Sequence, residues 1–375
     1  MKNISFLSIL LFAFLFTQNN LYSQFSFQLA AQQEYNSNPF KSFIPQSSFI
    51  SGYEFSAQYE LNNLGVLYNG TLVNFGNNQD RNFYWNLWGV WVYFDSSAVS
   101  LSLEQRINRP LYSYYDYYEL ALNYEHQINL WGITTNIFPS LTYTSYKNIS
   151  ILDNFKSSLA FTLNKPFEWG TTIILGGSIN HKIYTRPNKT DLIQAVNDSN
   201  VVENILIESQ NASSITQLSV FARVAQSITP STGLAVQYTN KNILSGMASS
   251  IKALNLTYGD ESEIFDDPVN YEGNNFLVEI TQIIFDDLKL KLGYYNNSKL
   301  YPSQGTYNGN LEYSLDLTRR DTQNIFSFSA DKPFSLSENL GIDIGLRYSY
   351  IKNSSNSSLF RYSGSSFNLN IGFNF

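Results

Sequence analysis

Cysteine is absent from all 375 residues, which excludes disulfides, zinc thiolate sites, thiol nucleophiles and a lipidated cysteine. Histidine occurs only twice, at His126 and His181. Neither stands beside a serine and an acid in a pattern that suggests catalysis, so no enzyme is expected. Charged residues make up only 14% and the net charge is -7, so the chain lacks the basic surface that nucleic-acid binding needs. Long apolar runs are missing too. The longest, Ile4 to Phe16, is shorter than the ~20 residues of a membrane-spanning helix. It follows Met1-Lys2-Asn3 and precedes a polar stretch ending at Ser23, the order of a cleavable secretory signal. Residues 1-23 are therefore expected to be a signal peptide and residues 24-375 a single exported domain.

Aromatics are what the chain has in abundance, with 28 Phe and 27 Tyr. They fall into segments of period two, the pattern of strands with one apolar and one polar face. The last ten residues show it most strictly: Phe367, Leu369, Ile371, Phe373 and Phe375 alternate with Ser366, Asn368, Asn370, Gly372 and Asn374. The same alternation appears at Tyr53 to Glu60, Leu101 to Ile107, Tyr118 to Glu125, Phe155 to Thr162, Gln217 to Ala225 with Phe221 as an inward exception, Leu288 to Tyr294 and Ile342 to Ser349. So many half-apolar strands leave more apolar face than one interior can absorb, and lipid is the simpler sink. The fold class is therefore all-β, a transmembrane antiparallel up-and-down barrel.

Connections alternate between short and long, as they must when all turns of one kind lie on one side of a membrane. The short ones are 62-65, 95-97, 129-132, 167-170, 230-233, 286-287 and 335-341, and glycine closes five of the seven, fitting turns that need positive φ. The more variable ones lie near 33-51, 76-82, 108-112, 147-153, 186-214, 242-273, 300-318 and 353-365, with 33-51, 186-214 and 242-273 expected to be long extracellular loops. The count is sixteen strands, or fourteen if Phe25 to Gln32 and one later segment, such as the Pro139-containing run from Ile133 to Tyr146, are outside the wall. Trp131 and Trp169 lie in short turns, where amphipathic rings sit at headgroup depth.

The inward parity supplies the candidate site residues, which are charges lining a lumen. Glu54, Glu60, Glu104, Glu119 and Glu125, with Arg106 among them, come from early strands. Lys156, Lys182, Arg223, Lys241, Lys289 and Lys291 come from later ones, and Asp343 and Arg347 from the last. Acids facing bases across a barrel would create a transverse field in a wet constriction, without strong preference for either ion sign. The run Phe83 to Phe94 is apolar on both parities, which suggests a folded-in loop or an apolar ligand against its inner face. Trp88 is taken as one of its inward aromatics, and inward aromatics favour a closed barrel acting through its loops. The acidic run Asp260 to Asp267 could bind calcium but lacks EF-hand spacing; no metal and no cofactor are expected.

The signal, the alternating strands, the glycine-closed turns and terminal Phe375 together resemble bacterial outer-membrane β-barrel proteins of the porin-like type. The resemblance implies a bacterial outer-membrane location, surrounding outer-membrane lipid, and a C-terminal strand, Phe367 to Phe375, read by the barrel-assembly machinery. The segment Tyr35-Asn36-Ser37-Asn38-Pro39-Phe40 also resembles the first-strand end of β-barrel porins associated with surface polysaccharide or surface lipoprotein export. Diffusion porins fold a long third loop into the pore. The corresponding connection here, 108-112, is short, which turns attention to 186-214 and 242-273 for any constriction. No plug domain of the size found in active siderophore transporters is expected. A passive channel for small solutes and an accessory barrel in secretion or export are both compatible with these residues.

Overall fold

The computed structural model describes residues 25-186, 190-196, 202-208, 213-248, 268-285, 287-337 and 340-375. The expected signal at 1-23 and the acidic run 260-267 lie outside these residues, as do parts of the connections 186-214 and 242-273.

The strands in chain order are β1 (Phe25–Asn36), β2 (Ser48–Leu61), β3 (Leu64–Phe75), β4 (Phe83–Phe94), β5 (Ser97–Asn108), β6 (Tyr117–Leu130), β7 (Ile133–Tyr146), β8 (Asn154–Pro166), β9 (Thr171–Tyr184), β10 (Thr190–Val196), β11 (Val202–Glu208), β12 (Ser214–Thr229), β13 (Thr232–Gly246), β14 (Glu272–Ile284), β15 (Leu288–Tyr301), β16 (Thr306–Tyr307), β17 (Tyr313–Ser314), β18 (Arg319–Ser337), β19 (Leu340–Ser355) and β20 (Tyr362–Asn374). Sixteen of them form one closed barrel in chain order; β10 with β11 and β16 with β17 are separate hairpins in the loops. The wall includes Phe25 and the Pro139 strand, so the fourteen-strand alternative is excluded. β20 pairs antiparallel with β1, Tyr35 opposite Phe367 and Gln28 opposite Asn374. No strand edge remains unpaired in the wall.

Lipid-facing side chains follow the expected parity. Tyr53, Leu101, Leu120, Leu159, Val220, Leu292, Tyr348 and Phe367 are all exposed on the outer surface. This apolar belt has no aqueous counterpart in a soluble protein and makes the barrel a transmembrane one. The belt grades into polar ladders toward the long loops. There Tyr294 Oη and Asn296 Nδ2 donate to Asn324 Oδ1, each at 2.8 Å.

Turn chemistry departs from expectation in an instructive way. Of the five glycines read as positive-φ turn closers, Gly132 (φ 71°) and Gly170 (φ 79°) are, whereas Gly65, Gly233 and Gly341 are not. In the 62-65 turn the left-handed residue is Asn62 (φ 53°). Gly65 serves packing instead. It faces inward, and a Cβ there would lie 2.0 Å from the Trp91 indole.

The interior is filled unevenly. Phe83, Val73, Phe75 and Ile50 form an apolar cluster with Phe40, which the first connection carries inward, and Trp85 packs against it. The apolar inner face of β4 is therefore covered by a folded-in loop, as one of the two readings expected. Trp88 corrects the other expectation: it is 39% exposed on the lipid-facing parity, beside Tyr68 at 5.8 Å. The inward aromatics of β4 include Phe83, Trp85 and Trp91.

Candidate functional site

Two regions of the lumen differ in character. At the long-loop end, Tyr112, Tyr114 and Tyr115 of the connection between β5 and β6 are buried with Tyr146, Ile149, Ile151, Leu152 and Phe360 in one apolar cluster. Phe360 comes from the β19–β20 connection, on the far side of the ring from β5 and β6. The cluster therefore bridges the mouth. It forms because 109-116 turns into a six-residue 3-10 helix (Pro110–Tyr115) whose three tyrosines are all buried. Short as it is, this connection contributes the cap, whereas 186-214 and 242-273 were expected to be the better candidates for a constriction. Burial and the neighbouring phenol push the Tyr115 hydroxyl well above its ordinary value of 10.0. Burial raises Tyr114 in the same way.

Several predicted lumen charges are held by neighbouring side chains or buried rather than lining open water. Tyr117 donates to Glu104, Thr144 Oγ1 donates to Glu119 at 2.8 Å, and Arg106 donates to Asn108 at 3.2 Å while lying 3.9 Å over the Phe83 ring. Lys241 Nζ donates to Tyr271 Oη at 2.8 Å. Lys182 is 1% exposed. Glu54 accepts from Asn69 at 2.7 Å. Of the remainder, Glu60, Glu125 and Asp343 sit toward the short-turn end, and Lys156 on β8 faces inward opposite Lys182.

The second region is a cavity of about 920 Å³ running along the inner wall of β15, β18, β19, β20 and β1. Cross-strand register builds it: Lys291 is opposite Ser329, Ser329 opposite Arg347, Arg347 opposite Asn368, and Asn368 opposite Glu34. At strand spacings near 4.8 Å, Lys291 and Arg347 are about 10 Å apart with a serine between them. Lys289 and Asp331 form the next pair toward the short turns. Gly293, Ser327 and Ser349 keep the floor shallow.

Of the predicted residues, Lys289, Lys291 and Arg347 line this cavity. Arg223 reaches it through Glu279, which lies 3.7 Å from Arg223 and 3.6 Å from Lys291. The segregation of acids and bases by strand is thus incomplete, because Glu279 and Asp331 stand among the bases. Both were missed, although Phe276-x-Val278-x-Ile280 and Phe326-x-Phe328-x-Ala330 place them on the inward parity. Glu34 was assigned to a loop; β1 is longer than expected. Lys41, brought in by the first connection at φ 52°, left no signal in the sequence.

The motif Tyr35 to Phe40 closes the seam above the cavity. The Ser37 amide donates to the Ser365 carbonyl at 2.9 Å and the Ser37 Oγ accepts from the Ser365 amide at 2.8 Å. Asn38 Nδ2 donates to the carbonyls of Ser42 and Ser363 at 2.7 and 3.2 Å. Phe40 lies under the Arg81 guanidinium at 3.5 Å.

The two histidines do not converge. Both face outward, His126 bonded to Ser97 at 2.7 Å and His181 to Thr216 at 2.8 Å. Trp131 and Trp169 are exposed at the short-turn end, 90% and 69%.

No family model and no curated relative matches the sequence. Among solved structures, the chain is similar to OccK8 (OprE) of Pseudomonas aeruginosa, with 8% identity and a TM-score of 0.51 over 94% of this chain and 98% of that one. It is similar to the outer membrane protein OprD of Pseudomonas aeruginosa at 9% identity and a TM-score of 0.51, over 94% and 93%. The chain shares the closed-barrel fold of these two proteins. At these identities the likeness concerns the path of the wall. The cap and the charged row are therefore read from this chain's own residues.

Proposed function

We propose that the protein is a passive channel of the bacterial outer membrane for small polar solutes. The observation that carries this reading is the 920 Å³ cavity along one wall, whose cations and carboxylates alternate with serine, asparagine and glycine. Such a surface replaces the hydration of a dipolar solute and offers nothing to an apolar one. Near-balance between Lys41, Lys289, Lys291 and Arg347 on one side and Glu34, Glu279 and Asp331 on the other supports passage of both ion signs. The lipid-facing belt, and the fold shared with an outer membrane protein, support the location.

The apolar cap across the mouth favours a second reading, a closed accessory barrel that works through its loops in secretion or export. Single-channel conductance in a planar bilayer separates the two, using refolded chain lacking residues 1-23 and its Arg223→Glu/Lys289→Glu variant. Stable steps whose ion selectivity moves toward cations in the variant are expected. Silence from folded, heat-modifiable protein overturns the channel.

A further inference from the structure

A second site lies outside the lumen, where the wall leaves the membrane at the long-loop end. A groove of about 370 Å³ forms between the first connection and the β19–β20 connection, lined by Phe43, Pro45, Lys352, Ser354, Arg361 and Ser363 among others. None of its described lining residues is acidic. Asp321, which accepts from Asn353 on the inner side, is paired with Arg319.

The outward parity of β19 reads Leu346, Tyr348, Tyr350, Lys352, Ser354 in the direction of the loops. Leu346 belongs to the lipid belt, Tyr348 and Tyr350 are partly exposed aromatics of the kind that mark headgroup depth, and Lys352 is the next step outward. Its cross-strand neighbour is Ser363. The Lys352 side chain makes no hydrogen bond or ion pair among the described residues. Arg361 is fixed by Nε donating to the Ser355 carbonyl at 2.7 Å, and its two terminal nitrogens make no hydrogen bond among the described residues. The groove is preformed, because Asn38 ties the first connection to β20 and a side chain at Gly364 would meet Asn38 at 3.0 Å. Ile44, 50% exposed, stands beside the groove on the same connection.

The geometry points to a binding site for the phosphate of a membrane-lipid headgroup. Lys352 and Arg361 supply charge-assisted bonds, Ser354 and Ser363 supply hydroxyl donors, and Phe43, Ile44 and Pro45 meet the acyl side. Two cations without a carboxylate, one of them anchored, suit a phosphate, and the position one step beyond the tyrosines is where a lipid presents one. The site stands whether or not the lumen conducts.

The test uses the refolded chain transferred from phosphatidylcholine vesicles doped with phosphatidic acid, with retained lipid counted by native mass spectrometry. Retention of phosphatidic acid over phosphatidylcholine is expected. It should fall about tenfold or more in Lys352→Ala/Arg361→Ala, where the charge-assisted bonds are lost. Lysine and arginine here are exposed, so folding is checked by heat modifiability. Lys289→Ala/Arg347→Ala, in the lumen, should retain lipid as the parent does. Equal retention by the parent and the rim variant overturns the proposal. Binding of inorganic phosphate at the rim without lipid retention overturns it as well, and makes the groove a solute site.

Discussion

The side-chain amide of Asn38 donates to the backbone carbonyl of Ser363 across the seam where the first strand meets the last. The same buried side chain accepts from the Ser42 amide at 3.0 Å and donates back to the Ser42 carbonyl. Asn38→Ala leaves those partners unpaired and should cost about 1–3 kcal/mol. Asn38→Asp, which lacks the donor, should cost a similar amount. A lower temperature for the gel shift of folded to unfolded barrel is the expected result. An unchanged temperature would mean that the ladder between β1 and β20 suffices.

Trp91 lies across Gly65 in directly opposed register, and Phe221 lies across Gly176 in the same manner. Gly65→Ala must displace the indole and should destabilise by about 1–3 kcal/mol. Combining it with Trp91→Ala should recover part of that loss, giving a coupling energy measurable by urea unfolding in vesicles. Simple addition of the two losses would show that the contact is incidental.

Glu279 offsets both Arg223 and Lys291. Glu279→Gln should shift the channel toward anions, read as the sign of the reversal potential in a potassium chloride gradient. The shift should shrink as salt rises, since the screening length falls to about 3 Å at 1 M. No shift at low salt would place the pair outside the conduction path.

The cap should respond to alkaline pH. Tyr114 and Tyr115 are held above their ordinary value of 10.0, so the folded state binds their protons more tightly than the unfolded state does. Their contribution is full below about pH 10 and is lost as pH rises through the folded values. Phenolate absorbance of the folded protein should therefore titrate later than that of the Tyr114→Phe/Tyr115→Phe variant corrected for two fewer groups. Coincident titration would mean that the cluster is open to water.

Most of the wall was legible because a strand between lipid and water must alternate, and the belt residues from Tyr53 to Phe367 do. Trp88 was misplaced because β4 is apolar on both faces, so parity had to be carried over from β3 and β5. Gly65 of the first short turn misled for a different reason. Like Gly176 within β9, it is small to admit an aromatic from the neighbouring strand, a tertiary need that no local pattern records. The lumen cations followed from parity, but Lys41 and the Tyr112–Tyr115 cap depend on which way a loop folds, and loop polarity alone does not encode that.

Closure of β20 onto β1 also sets the order of events in making the molecule. Until Tyr362 to Asn374 has been synthesised, β1 and whichever strand is last each offer a bare ladder, and every partial chain is sticky at both ends. The seam that joins residues more than three hundred positions apart is then the slowest contact to find. A nick in a loop after completion leaves all sixteen ladders in place, whereas loss of the final strand removes two at once.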